Sequence, residues 1–118
     1  MSRPPDRLDL ALTKRLRAIV GGEPATESEL RGLADQAGGW ERAVAAQLRA
    51  AEDRLGRLNA DAASPLAEMA GEIRRVEALK RELDEARSLL AGLDERTREL
   101  RTAWLKDHAA SARPLPRK

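Results

Sequence analysis

The chain has 118 residues, 36% of them charged and 2% aromatic, with no cysteine, phenylalanine or tyrosine and a formal net charge of +2. This length suits a single domain and leaves no room for a large cofactor pocket beside a core. Disulfide and thiol chemistry are excluded, and the small net charge does not by itself point to a polyanion.

The apolar residues are chiefly Leu and Ala, both strong helix formers, while strand-favouring residues are scarce. An all-α fold is therefore expected. Arginine outnumbers lysine eighteen to four. Guanidinium suits phosphate, but residues with AT-rich codons are all rare here. The excess reads as the base composition of a GC-rich bacterial genome.

Residues 1–5 read as a disordered start. Asp6 is a candidate helix cap, with Asp9 placed to favour the positive end of the helix dipole. Leu8, Ala11, Leu12, Leu16, Ile19 and Val20 then fall on one stripe of a helix over 6–20. Gly21-Gly22 ends it, because glycine accepts the left-handed backbone of a helix C-terminus.

Thr26-Glu27-Ser28-Glu29 has the spacing of a capping box, in which hydroxyl and carboxylate bond each other's backbone N–H groups. It opens a second helix over 26–37, with Leu30, Leu33, Ala34 and Ala37 on its apolar stripe. Gly38-Gly39 costs a helix about 2 kcal/mol relative to two alanines. A break or kink is expected there, and Gly38, Gly39 and Trp40 form a candidate hinge. A third helix over 40–60 carries Val44, Leu48, Ala51, Leu55 and Leu58.

A short turn, Asn59 to Ala63, leads to Ser64 as cap and Pro65 at a first helical position, where no N–H is needed. The longest helix follows, over 64–106. From Val76 its apolar positions alternate in steps of three and four: Val76, Leu79, Leu83, Ala86, Leu90, Leu93, Thr97, Leu100, Trp104. That is a coiled-coil seam. Upstream, Leu66, Met69, Ile73 and Val76 lead to Leu79 through two successive steps of three. Such a step locally overwinds a coiled coil, and here it marks a change of packing partner.

The short turn makes the last two helices antiparallel. With the turn centred near residue 62, residue i lies opposite about residue 125 minus i. The expected architecture is an antiparallel helical hairpin with the N-terminal helices packed on it, a three- to four-helix bundle. One helical domain spans 6–108, and 109–118 form a disordered basic tail.

Enzymatic motifs are missing. His108 is the one histidine, and it lies near a helix end. No metal-ligand spacing occurs, and no serine is read as paired with an activating histidine. The pairs Glu68/Glu72 and Glu95/Glu99 lack the histidines of a di-iron site and read as solvated faces. The two Gly-Gly pairs do not match a phosphate-binding loop. No catalytic, cofactor-binding or metal-binding residue is assigned, and no cofactor is expected. No stretch is apolar enough for a membrane span, and the N-terminus has no signal-peptide core. A cytoplasmic location is the default.

Seam geometry supplies the functional expectation. On the 125-minus-i register, Trp104 lies beyond the start of a partner helix that begins at residue 40. Leu90, Leu93, Thr97, Leu100 and Trp104 are therefore the candidate interface, covered by the first helix, a second copy or another protein. The expected function is non-enzymatic protein–protein interaction, as a coiled-coil subunit or adaptor.

The alternative is nucleic-acid association through basic ends. Residues 1–22 and 106–118 each carry net +3, against −3 for 23–63 and −1 for 64–105. Arg113, Arg117 and Lys118 are the candidate phosphate contacts. The acidic helix after Thr26 argues against a recognition helix, so this alternative is not favoured.

Overall fold

A computed structural model describes residues 5–112, with side-chain surroundings for residues 10–109. The expected start and tail at 1–4 and 113–118 lie outside what is described; α1 already includes Pro5, so Asp6 stands inside the helix and not at its cap. Among the described residues there are three helices: α1 (Pro5–Val20), α2 (Glu27–Ala60) and α3 (Leu66–Ala112). The class is all-α, and α2 and α3 form an antiparallel hairpin on which α1 packs. The molecule is elongated, 89 × 29 × 20 Å.

Helix α1 ends as its glycines dictate. The Gly22 N–H donates to Ile19 O, and the Glu23 N–H donates to Ala18 O, both at 3.0 Å. Gly22 has φ +120°. These two bonds around one left-handed residue form a Schellman motif, which satisfies carbonyls the helix leaves open. The chain then reverses, and Thr26 Oγ1 accepts from the Glu29 N–H at 3.0 Å to start α2. Only this half of the expected capping box forms. Both Glu29 oxygens are taken instead by Arg15 of α1, at 2.6 and 2.9 Å, because two bonds from a guanidinium, with opposite charges on both sides, outweigh the single bond a backbone N–H offers.

The expected break at Gly38-Gly39 does not occur: α2 is one continuous helix of 34 residues. The separate helices over 26–37 and 40–60 are therefore one. Leu30, Leu33, Ala37, Trp40 and Val44 are all buried along a single stripe that passes through the glycines. Packing of that stripe outweighs the intrinsic cost of two glycines, which is about 2 kcal/mol.

The hairpin turn is set by Asp61. Its carboxylate accepts from the Ala63 N–H at 2.9 Å, and its carbonyl accepts from the Ser64 N–H at 3.0 Å. Helix α3 starts at Leu66, two residues past the expected Ser64. Pro65 precedes it and supplies the first carbonyl, to the Met69 N–H. At its far end α3 runs to Ala112, so residues 109–112 belong to the helix and not to a tail.

The pairing follows the expected register within about three residues. Trp40 Nε1 donates to Glu82 at 2.8 Å, Arg87 pairs with Glu41 at 3.1 Å, and Arg54 pairs with Glu72 at 3.3 Å. Glu72 is thus turned inward against Arg54 and is not a solvated face. The double three-residue step before Leu79 separates two environments. Val76 and Leu79 are buried, while Ile73 upstream is 42% exposed.

Helix α1 lies antiparallel to α2 and parallel to α3. Arg17 pairs with Glu85, and Arg96 donates to Gly22 O at 2.9 Å. Gly92 lets the two helices approach, since a Cβ there would lie 3.0 Å from Val20 Cγ1. Leu12, Leu16 and Ile19 fill the groove above Leu30, Leu33, Leu89 and Leu93.

Candidate interaction site

Position along the seam decides which of the five expected interface residues are free. Leu93 is only 1% exposed and belongs to the core. Leu90 and Leu100 are half-buried against that core. Thr97 is also half-buried, and its hydroxyl donates to Leu93 O at 2.7 Å. Much of the cover comes from the first turns of α2. Glu27, Leu30, Arg31 and Ala34 share a shallow groove with Leu90, Leu93 and Thr97. The expectation of a partner helix beginning at residue 40 hid this, because the unbroken α2 reaches back thirteen residues further, to Glu27.

Trp104 differs from the other four. Arg101 meets Glu27 at 3.2 Å, which puts the start of α2 level with Arg101. The eleven residues of α3 beyond Arg101 have no α2 beside them. Trp104 sits half-buried at this edge, and Leu105 is 69% exposed. With Glu27, Arg101 and His108 they line an open cleft of about 390 Å³. Glu27 is countered there by both Arg31 and Arg101.

Leu105 and His108 were not legible as interface residues. Both lie off the three–four seam, and only the true start of α2 reveals that, among the described residues, no helix continues past Glu27 to cover them. The Arg96 side chain lies beneath this end. It donates to Gly22 O and to Glu99, and so ties the α1–α2 connection to α3.

Of the candidate hinge, Gly38 and Gly39 are half-buried inside α2 and Trp40 is buried. Its indole N–H is satisfied by Glu82. The basic residues Arg113, Arg117 and Lys118 lie outside the described part. Among the described residues no helix is long and apolar enough to cross a membrane, and no three acidic or histidine side chains are grouped to hold a metal ion.

One clear electrostatic feature lies on the opposite side of α2's first turn. Hydrogen bonding from Arg15 holds the Glu29 carboxyl below the usual carboxylate range, against the opposing effect of burial, and the Arg15 guanidinium is raised in turn. This pair fastens α1 to α2 and does not face the cleft. No protein-family model, curated protein or solved structure matches the chain.

Proposed function

We propose that the chain is a non-enzymatic protein-interaction module, a coiled-coil subunit or adaptor, whose binding surface is the end of α3 beyond Arg101. One observation carries this reading. A half-buried tryptophan and a 69% exposed leucine sit together on a stretch of helix that has outrun its partner. Large aromatics at the centre of such a patch are the residues that anchor protein interfaces. The 89 Å length supports a role in spacing or bridging. The arginine- and alanine-rich composition supports a GC-rich bacterial source.

The test is capture of partners, and of tagged copies of the chain itself, with and without Trp104→Ala and Leu105→Asp. Circular dichroism serves as the control for folding. Both variants are expected to stay helical and to lose capture. Capture that survives both substitutions removes the end of α3 as the binding surface.

A further inference from the structure

Helix α1 and the hairpin are held by unequal means. Helices α2 and α3 are tied to each other on both sides of the seat that α1 occupies. Arg101 meets Glu27 at 3.2 Å on one side, and Arg54 meets Glu72 at 3.3 Å in the arm on the other. Helix α1 holds on through one short apolar stripe, Leu12, Leu16 and Ile19. Its ion pairs, Arg15 with Glu29 and Arg17 with Glu85, join side chains that are each a third or more exposed. Such pairs add little grip. The connection to α2 begins with two glycines, and Gly22 has φ +120°. Isolated helices of roughly this length are marginal in water, so α1 leaves its seat by melting and not as a rod. The seat beneath it is a groove with an apolar floor of Leu30, Leu33, Leu89 and Leu93. One wall carries the Glu29 carboxylate on α2, and the other carries that of Glu85 on α3. This chemistry fits an amphipathic helix with leucine or isoleucine in steps of four and three and arginines beside them. Helix α1 supplies that pattern itself, in Leu12, Leu16 and Ile19 with Arg15 and Arg17.

We infer that α1 is a displaceable strap: it opens separately from the hairpin and is the built-in occupant of a groove that accepts an amphipathic, arginine-flanked helix of a second polypeptide. This groove is distinct from the end of α3 and does not rest on the reading of that end. The local opening of α1 costs less than unfolding the hairpin, because α2 and α3 keep their own seam. A competing helix makes the contacts that α1 makes. Its apparent affinity is lowered in proportion to the fraction of chains whose strap is open, so the strap is autoinhibitory.

A reversible lock tests this. The chain has no cysteine, and a Cβ at Gly92 would lie 3.7 Å from Val20 Cβ, inside the span of about 3.5–4.5 Å that a disulfide needs. Val20→Cys combined with Gly92→Cys is expected to close into an intrachain disulfide that fixes α1 to α3. Circular dichroism checks that both redox forms stay helical. The probe is a fluorescein-labelled peptide of residues 5–22, titrated into the full chain and read by anisotropy. The wild type and the reduced pair are expected to bind it, the oxidised pair to lose binding, and reductant to restore it. Arg15→Glu with Arg17→Glu in the peptide is expected to weaken binding at least about tenfold, since both walls then repel it. Hydrogen exchange of the wild type is expected to be at least about tenfold faster in residues 10–20 than in 37–44 and 79–86. Oxidation to an interchain disulfide also supports the strap, because α1 has then left its own seat for that of a second copy. Equal binding by the oxidised and reduced pairs, or no binding by the reduced pair, overturns the inference. So do α1 amides that exchange as slowly as those of the hairpin.

Discussion

The half of the molecule that contains α1 and the half that does not solve the same packing problem to different depths. Where three helices meet, Leu16 and Ile19 are fully buried and Leu93 nearly so. Where only α2 and α3 pair, Leu48, Leu55, Leu58 and Met69 lie on the same kind of seam but remain half exposed. Two helices enclose a seam from two sides, and a third helix closes the remaining one.

Glu29, Trp40 and Arg54 are 11 and 14 residues apart on α2 and so share one face. At Glu29 that face meets α1, at Trp40 it is closed by Glu82, and at Arg54 it carries an ion pair with Glu72. Beyond Trp40 the seam of α2 stays apolar, with Val44 and Ala51 buried and Leu48 and Leu55 partly buried, and the Arg54–Glu72 ion pair flanks it. The comparison teaches that two helices bury a small side chain such as Ala51 fully but leave the leucines beside it half-buried, whereas three helices close over leucine and isoleucine.

The largest expected effect tests that contrast directly. Leu16→Ala empties a site enclosed by three helices and is expected to cost about 3 kcal/mol. Leu55→Ala removes a half-exposed side chain of the same size from the arm and is expected to cost about 1 kcal/mol. Urea unfolding followed by circular dichroism measures both. Equal losses would mean that the third helix adds no depth to the core.

Glycine substitutions sharpen the comparison, because their sign is expected to reverse between regions. Gly92→Val drives a side chain against Val20 and is expected to cost about 2 kcal/mol by pushing α1 away. Hydrogen exchange should then quicken in α1 while the arm keeps its protection. Gly39 and Gly56 have no atom within 4 Å of an added Cβ. Alanine at either is expected to stabilise α2 by about 0.5–1 kcal/mol, read as a higher melting temperature. A loss at Gly39 would show that α2 needs a flexible joint there.

The smallest effect concerns pH and belongs to the bundle alone. The folded-state carboxyl of Glu29 is held below its ordinary value by Arg15. Its contribution is therefore complete above the usual carboxylate range, near pH 4.3, and is lost as pH falls through the lower folded value. The two side chains are 36% and 34% exposed, and solvent screens the pair, so the change is small. Melting temperatures from pH 7 down to pH 2.5 should fall less for Glu29→Gln than for the wild type. The two should converge at the acid end.

Much of the fold was legible because it depends on neighbours in sequence. The spacing of Leu12, Leu16 and Ile19 defines α1, and Gly21-Gly22 ends it. The short turn after Asn59 makes α2 and α3 antiparallel, and the 125-minus-i register follows from that turn alone. The candidate site was legible only in part. Trp104 stood out as a large aromatic at the end of a seam, but Leu90 and Leu93 carry the same signal and are covered within the chain.

By itself, the sequence determined the all-α class, the hairpin, its register and the stumble before Leu79. Each of these rests on helical periodicity or on a local turn, and both are encoded residue by residue. Only the tertiary structure decided that α2 passes unbroken through Gly38-Gly39, because the burial of Ala37 and Trp40 against other helices outweighs a local preference. The same tertiary packing decided that Glu29 serves Arg15 and not its own cap. It also decided that the seam of α3 runs out of cover at Trp104 and not before, because the length of a partner helix depends on contacts that lie far apart in the chain.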